Sequence, residues 1–315
     1  MIQLLATNVK RLELDLHDPR YPEGLLQLQE VPECLRVMGS VEALGLPSLA
    51  IVGARKATPY GLNCAKRFAR IASMRGIAIV SGGAIGCDQA AHKGALEVGG
   101  RTIVVLGCGA DVVYPTRAQD LFTQILEEKG ALVSEAPWGS PPSRWGFLKR
   151  NRIIAAIAQA TLIVEAGLPS GTFSTADATL AQGKEVLAVP GSIFAKESSG
   201  ANRLIVQGAI PIVDDESFCD ALSQLFGVPE LFPAIGTDAG AAFMAGGTLN
   251  QKAVNAVGGT QARVLETLAQ EPLRAEALRG ICGNDVVEVI RYLSSLELAG
   301  LVERLRDGRY AAVSR

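Results

Sequence analysis

The chain has 315 residues, 48% of them hydrophobic and 20% charged, enough to bury a full core and to build one large domain beside a smaller one. A formal net charge of −2 excludes a broadly cationic surface, so any nucleic-acid contact has to come from a local basic patch. No apolar run reaches the ~18 residues of a membrane span, and the opening MIQLLATNVKRLELDL lacks a basic region followed by an apolar core, so a cytoplasmic protein with no membrane partner is expected.

Residues 1–46 hold short, proline-punctuated segments such as YPEGL and VPECL and read as an extension leading into the core. From 47 to 227, apolar runs at 49–53, 77–82, 102–107, 131–135, 160–166 and 185–191 alternate with amphipathic stretches, most of which end at glycine. Runs apolar on both faces are expected of parallel strands covered by helices on each side, which predicts an α/β domain with a Rossmann-like doubly wound sheet. Residues 228–259, rich in Gly, Ala and Pro, read as a flexible linker. Residues 260–315 give three helical segments and a hairpin closed at Asp307 and Gly308, the outline of a winged helix. Its last helical segment carries Asp285, Glu288 and Glu297 against Arg291, which favours packing or a protein partner over reading a DNA groove. The six cysteines form no C-x-x-C pair and there are two histidines, so neither a zinc site nor a disulfide framework is expected.

Ligands of an open parallel sheet sit beyond the carboxyl ends of its strands, where four donor-rich turns fall. The first, GARKATPYG, puts Gly53 where a phosphate could approach the backbone, with Arg55 and Lys56 alongside. The second, SGGAIGCDQAAH, resembles a loose phosphate loop through Ser81, Gly82 and Gly83, with Asp88 as the expected helix cap and His92 as a packing residue. It lacks the Gly-Lys-Ser/Thr ending of a nucleotide-binding loop and the acidic residue of a dinucleotide fingerprint, so no cofactor is expected. The third turn offers Ser170, Gly171 and Thr172 at a helix start, and the fourth offers Ser198, Ser199, Gly200 and Asn202. Between the second and third turns stands the strongest feature, Arg144, Lys149, Arg150, Asn151 and Arg152 interleaved with Trp145 and Phe147. Cations for phosphates and aromatic rings for unpaired bases are the composition of a single-strand binder. Three cations at a helix start oppose the helix dipole, which calls for an external anion. No set of acid, base and nucleophile stands out.

In this order, GARKATPYG, SGGAIGCDQAAH, GCGADVVYP, SEAPWGSPP, FLKRNRII, VEAGLPSGTFSTA, AVPG and SSGANRLI resemble the DNA-processing protein A (DprA, also called Smf) family from about Tyr21 to Gly227. The resemblance implies a non-enzymatic, dimeric Rossmann-like protein that binds single-stranded DNA, protects it, and loads the RecA recombinase during natural transformation and homologous recombination. It implies that Arg55 contacts phosphate, that Lys149, Arg150, Asn151 and Arg152 form the DNA pocket, that Phe147 stacks on a base, and that Ser170 to Thr172 add backbone contacts. Dimer and RecA surfaces would fall between Phe194 and Phe226. The sequence departs from the family pattern at Ile85 and Leu148, where members often carry a basic residue and a proline. Two other readings stay open. One is a nucleoside monophosphate phosphoribohydrolase-like enzyme, in which Thr175 stands where the working glutamate belongs. The other is a scaffold whose winged helix alone engages a protein partner.

Overall fold

Strands that are apolar on both faces need helices on both, and the computed structural model has that arrangement. It describes residues 2–3, 9–168, 170–227, 260–270, 272–282, 286–298, 301–305 and 309–312. The chain falls into two units, Met1–Glu230 and Leu231–Arg315. The first contains β1 (Ile2–Gln3), β2 (Arg11–Asp15), α1 (Glu23–Leu26), β3 (Cys34–Gly39), β4 (Ser48–Val52), α2 (Pro59–Met74), β5 (Ala78–Ser81), α3 (Cys87–Leu96), β6 (Thr102–Val105) and β7 (Val112–Val113). It continues through α4 (Gln119–Glu127), β8 (Ala131–Ser134), α5 (Arg144–Ile157), β9 (Ala160–Ile163), α6 (Thr172–Ala181), β10 (Glu185–Ala188), α7 (Ser199–Val206), β11 (Ile210–Pro211) and α8 (Asp215–Phe226).

Nine strands form one sheet in the order β11-β10-β9-β4-β5-β6-β8-β3-β2. The six apolar runs are the parallel strands β4, β5, β6, β8, β9 and β10, and β11 pairs parallel with β10 at the edge. Successive residues point to opposite faces. Ile103 and Val105 therefore pack with Ile153 and Ile154 of α5, while Val104 between them packs with Phe122 and Ile125 of α4. Burying each such side chain contributes about 1.5–3 kcal/mol.

The amino-terminal segment departs from the sequence reading. Residues 11–15 and 34–39 belong to the sheet: β3 runs antiparallel to β8, and β2 antiparallel to β3. The reason is apolar area, since Leu14, Leu35 and Val37 are fully buried in the core beneath α5 and Met38 in the core beneath α4. An antiparallel edge on an otherwise parallel sheet is a common mixed arrangement.

Strand order reverses at β4. From it the chain winds outward through β5, β6 and β8, and the later strands β9, β10 and β11 lie on its other side. Val52 and Ile163 are register partners at the carboxyl ends of β4 and β9. The loops leaving these two strands diverge, which opens a crevice at the topological switch point.

The second unit contains α9 (Thr260–Gln270), a 3-10 segment (Ala275–Cys282), α10 (Val286–Leu298), β12 (Val302–Arg304) and β13 (Tyr310–Ala312). Its core gathers Val264, Leu265, Leu268, Leu278, Val289, Leu293, Leu296 and Val302. The middle helical segment is 3-10, not α, and β12 pairs antiparallel with β13. The predicted linker 228–259 and the turn at Asp307 and Gly308 lie outside the described residues. Among the described residues no helix is long and apolar enough to cross a membrane.

Candidate nucleic-acid interface

A cavity of about 740 Å³ occupies the switch-point crevice, lined by residues 52–55, Tyr114, one face of α5 and the start of α6. That size suits a small ligand or a nucleotide unit of a longer one. The element that decides its chemistry is α5, which starts earlier than the basic run alone suggests. Ser143 caps it by accepting the Gly146 N–H at 2.9 Å, so Arg144, Trp145 and Phe147 are helical. The cap brings the aromatic and cationic residues into one helical register.

Helical periodicity then divides the basic cluster. Arg144, Phe147, Leu148, Arg150, Asn151 and Ile154 line the cavity. Lys149 and Arg152, three residues apart, share another face, where both reach the Glu135 carboxylate at 3.2 and 2.7 Å. The anion expected from outside is thus supplied, for these two cations, by the residue that follows β8.

Arg150 is placed differently again. Its guanidinium is buried, with Nη1 donating to the Val105 carbonyl, and it fills the space over Gly82, where a Cβ would lie 2.0 Å from Nη1. Burial pushes this guanidinium below its usual range, and the nearby Asp88 opposes that shift. Arg150 therefore forms the floor of the cavity and does not project from it.

Most of the second glycine turn is closed to a ligand for the same reason, and of its residues Ala84 and Asp88 reach the cavity wall. Asp88 does not cap α3, whose N-cap is Gly86; its carboxylate accepts the backbone N–H groups of Gly82 and Ala84 at 3.2 and 3.3 Å. Ser81, Gly82 and Gly83 are buried, and the Ser81 hydroxyl donates to the Ile51 carbonyl at 2.6 Å. An internal carboxylate occupies the place a phosphate was expected to take. Burial pushes the Asp88 carboxyl above its ordinary value, and Arg150 together with the loop N–H groups pulls it back. His92 lies behind this loop, fully buried. Thr102 donates its hydroxyl to the Ile79 carbonyl, so it accepts from His92 Nδ1–H at 2.6 Å. Burial then holds the imidazole neutral, with its pKa lowered to about 3.

Carboxylates and amides close two more donor sets. Glu165, just past β9, accepts from the Thr58 N–H at 2.9 Å and the Thr58 hydroxyl at 2.6 Å, filling the amino terminus of α2. In the fourth turn Asn202 exchanges hydrogen bonds with the backbone of Gly191, both at 3.0 Å, and Gly200 N–H donates to Ala166. What stays on the cavity wall is Gly53, Arg55, Ser170, Gly171 and Thr172. Asn151 ties that wall to α5 by donating to Ser174 at 2.7 Å and to the Gly171 carbonyl at 3.3 Å. Lys56 is exposed but does not line the cavity.

Arg55 lies with its guanidinium carbon 5.7 Å from the Phe147 ring centre, and the Tyr114 ring stands 5.1 Å from Phe147, tilted by 31°. The cavity mouth is thus a run of cation, aromatic ring and aromatic ring, with Arg144 beside it. Among the described residues no cluster of metal-ligating side chains occurs. A family model described as DNA recombination-mediator protein A matches residues 14–223 of this chain. The chain belongs to the DprA/Smf family. A DprA winged helix domain model matches residues 251–308, which identifies the second unit as that domain.

Among DprA/Smf relatives, the protein Smf of Escherichia coli is 36% identical over 288 residues, spanning 91% of this chain and 74% of that protein. The Synechocystis Smf protein is 37% identical over 212 residues, so that the chain spans 53% of its length. Among solved structures, DprA from Streptococcus pneumoniae superposes with a TM-score of 0.62 at 33% identity, over 66% of this chain and 73% of that one. DprA from Helicobacter pylori, a structure described as showing its single-stranded DNA binding mode, gives 0.63 at 29% identity over 71% of this chain and 99% of that one. Sequence reasoning does not single out Tyr114 or the carboxylates of Glu135 and Glu165, and it reads Asp88 as a helix cap. The signals it offers are an acidic residue closing each of two strands and a tyrosine at the end of GCGADVVYP.

Proposed function

We propose that this DprA/Smf chain is a single-stranded DNA-binding protein that protects incoming DNA and loads a RecA recombinase onto it, without catalysing a reaction itself. Family membership supports a DNA-processing role in transformation. The observation that carries the finer reading is the cavity at the switch point, where Arg55 and Arg144 stand beside Phe147 and Tyr114 and the polar turn at residues 170–172. Cations spaced among aromatic rings bind phosphates and unpaired bases together, whatever their sequence. The single-stranded DNA binding mode described for the Helicobacter pylori relative supports the same assignment.

A homodimer and a cytoplasmic location are part of this proposal. The second copy would seat on the open sheet edge at β11, where the flanking chain exposes Val206 by 87% and Val213 by 65%. Apolar side chains so exposed beside an open edge favour a self-complementary contact. In α10, Arg291 is engaged by Glu288 at 2.6 Å, which favours a protein partner over a DNA groove for the winged helix. The cavity wall offers no glutamate where a phosphoribohydrolase needs it, since Thr175 holds that position. The test is binding of a labelled oligothymidylate beside incubation with nucleoside monophosphates. Single-strand binding with no free base released supports the proposal, and base release with no single-strand binding replaces it.

A further inference from the structure

We infer that Tyr114 is the ring that stacks on a nucleobase in this cleft, with Phe147 as its backing and not the stacking surface itself. The inference rests on the single-strand reading above and deepens it. Phe147 is half-buried and its neighbours are already in place. The guanidinium of Arg55 lies 5.7 Å from its ring centre, the Tyr114 ring 5.1 Å away, and the backbone of Gly107 is so close that a Cβ there would be 2.8 Å from Phe147 Cδ1. Tyr114 lines the same cavity and keeps 41% of its surface exposed. Its ring is therefore the larger open aromatic face at the mouth.

The backbone that carries Tyr114 is fixed. Val112 and Val113 before it are buried in the core, and Asp111 accepts the Gly139 N–H at 2.7 Å and meets Arg11 at 3.4 Å. A platform held in place loses little freedom when a base settles on it. Arg55 and Arg144, on the same wall, stand where the phosphates flanking a stacked base would need counter-charge. Removing a base-stacking aromatic residue costs on the order of 5- to 150-fold in affinity.

The experiment compares oligothymidylate with a chain of the same length whose residues are abasic, by fluorescence anisotropy on the full chain. The wild type is expected to bind the base-bearing chain more tightly. Tyr114→Leu is expected to lose about tenfold on oligothymidylate and little on the abasic chain, and Tyr114→Phe to recover most of that loss. Phe147→Leu, which frees Arg55, is expected to weaken both chains alike. Circular dichroism melts confirm that each variant folds. A folded Tyr114→Leu that weakens both chains equally, or neither, overturns the inference, as does a base-specific loss confined to Phe147→Leu. A wild type that binds neither chain removes the single-strand reading itself, and this inference with it.

Discussion

Replacing Gly146 by alanine tests how closely α5 is seated against the loop that follows β6. A Cβ on Gly146 would lie 2.2 Å from the Gly107 carbonyl oxygen. Favourable contact needs about 3.5 Å, so the helix start or the loop has to move by more than about 1 Å. At an unobstructed helical position the same change stabilises by up to about 1 kcal/mol, because alanine loses less backbone freedom on folding. Forcing a methyl group into close-packed surroundings costs about 1–3 kcal/mol, and here the obstacle is backbone, which cannot swing aside. The clash wins, and the expected net loss is about 1–2 kcal/mol, or a fall of about 2–8 °C in the melting midpoint. The displacement also shifts Arg144 and Phe147, so oligothymidylate affinity falls with it. Gly45→Ala is the control, since a Cβ there has nothing within 4 Å. Circular dichroism melts and anisotropy titrations read both effects. A Gly146→Ala protein that melts at or above the wild type and binds DNA equally well would show that α5 is not seated this closely on the loop.

Four cationic substitutions separate the two faces of the basic cluster. Arg55→Ala and Arg144→Ala, on the cavity wall, are each expected to reduce the log–log salt slope of single-strand binding by about 0.7. Lys149→Ala and Arg152→Ala, whose charges meet Glu135, should reduce it less, and equal losses from all four would contradict this division. Acid acts through His92. It stays neutral in the fold down to about pH 3, whereas its unperturbed pKa is 6.5, so the unfolded chain binds more protons between those values. Stability therefore falls as pH drops through that window, by about 3 kcal/mol from pH 7 to pH 4 for this group. Urea titrations should show a steeper acid loss in the wild type than in His92→Asn, and parallel losses would disprove the assignment. At the other end of α5, Lys184 Nζ donates to the carbonyls of Ala155, Ala156 and Ala158 at 2.9, 2.8 and 2.8 Å. Lys184→Met leaves these helix-end acceptors without that donor and is expected to cost about 1–3 kcal/mol in thermal stability; an unchanged melt would show that water replaces the lysine without loss.

The parallel strands were legible in the sequence because burial on both faces leaves an unbroken apolar run, as in Leu49 to Val52 or Thr102 to Val105. The antiparallel edge was hidden because β2 alternates, with Leu14 buried between exposed neighbours, and lies in a stretch whose prolines read as punctuation. Within the site, the local composition of residues 144–152 pointed to the element that matters. It could not tell which cations are free, because that depends on Glu135 and Asp88, which reach them only through the fold. A helix that starts at Arg144, capped by Ser143, turns one run of charges into two faces. The glycine turns were legible as turns, and their availability was not. Asp88 fills the second and Asn202 the fourth, while in the first Glu165 takes the donors of Thr58 and leaves Gly53 and Arg55 on the cavity wall.

The proposed function stands or falls with whether the switch-point cavity takes single-stranded DNA. Anisotropy of a labelled oligothymidylate and of the matching duplex, each titrated over a salt series with the wild type and with Arg55→Ala/Arg144→Ala, tests it most directly. Tighter binding of the single strand is expected, with a linear log–log dependence of slope about −0.7 for each phosphate contacted and a shallower slope in the double variant. Equal affinity for duplex and single strand, or a slope that the double variant leaves unchanged, would contradict it.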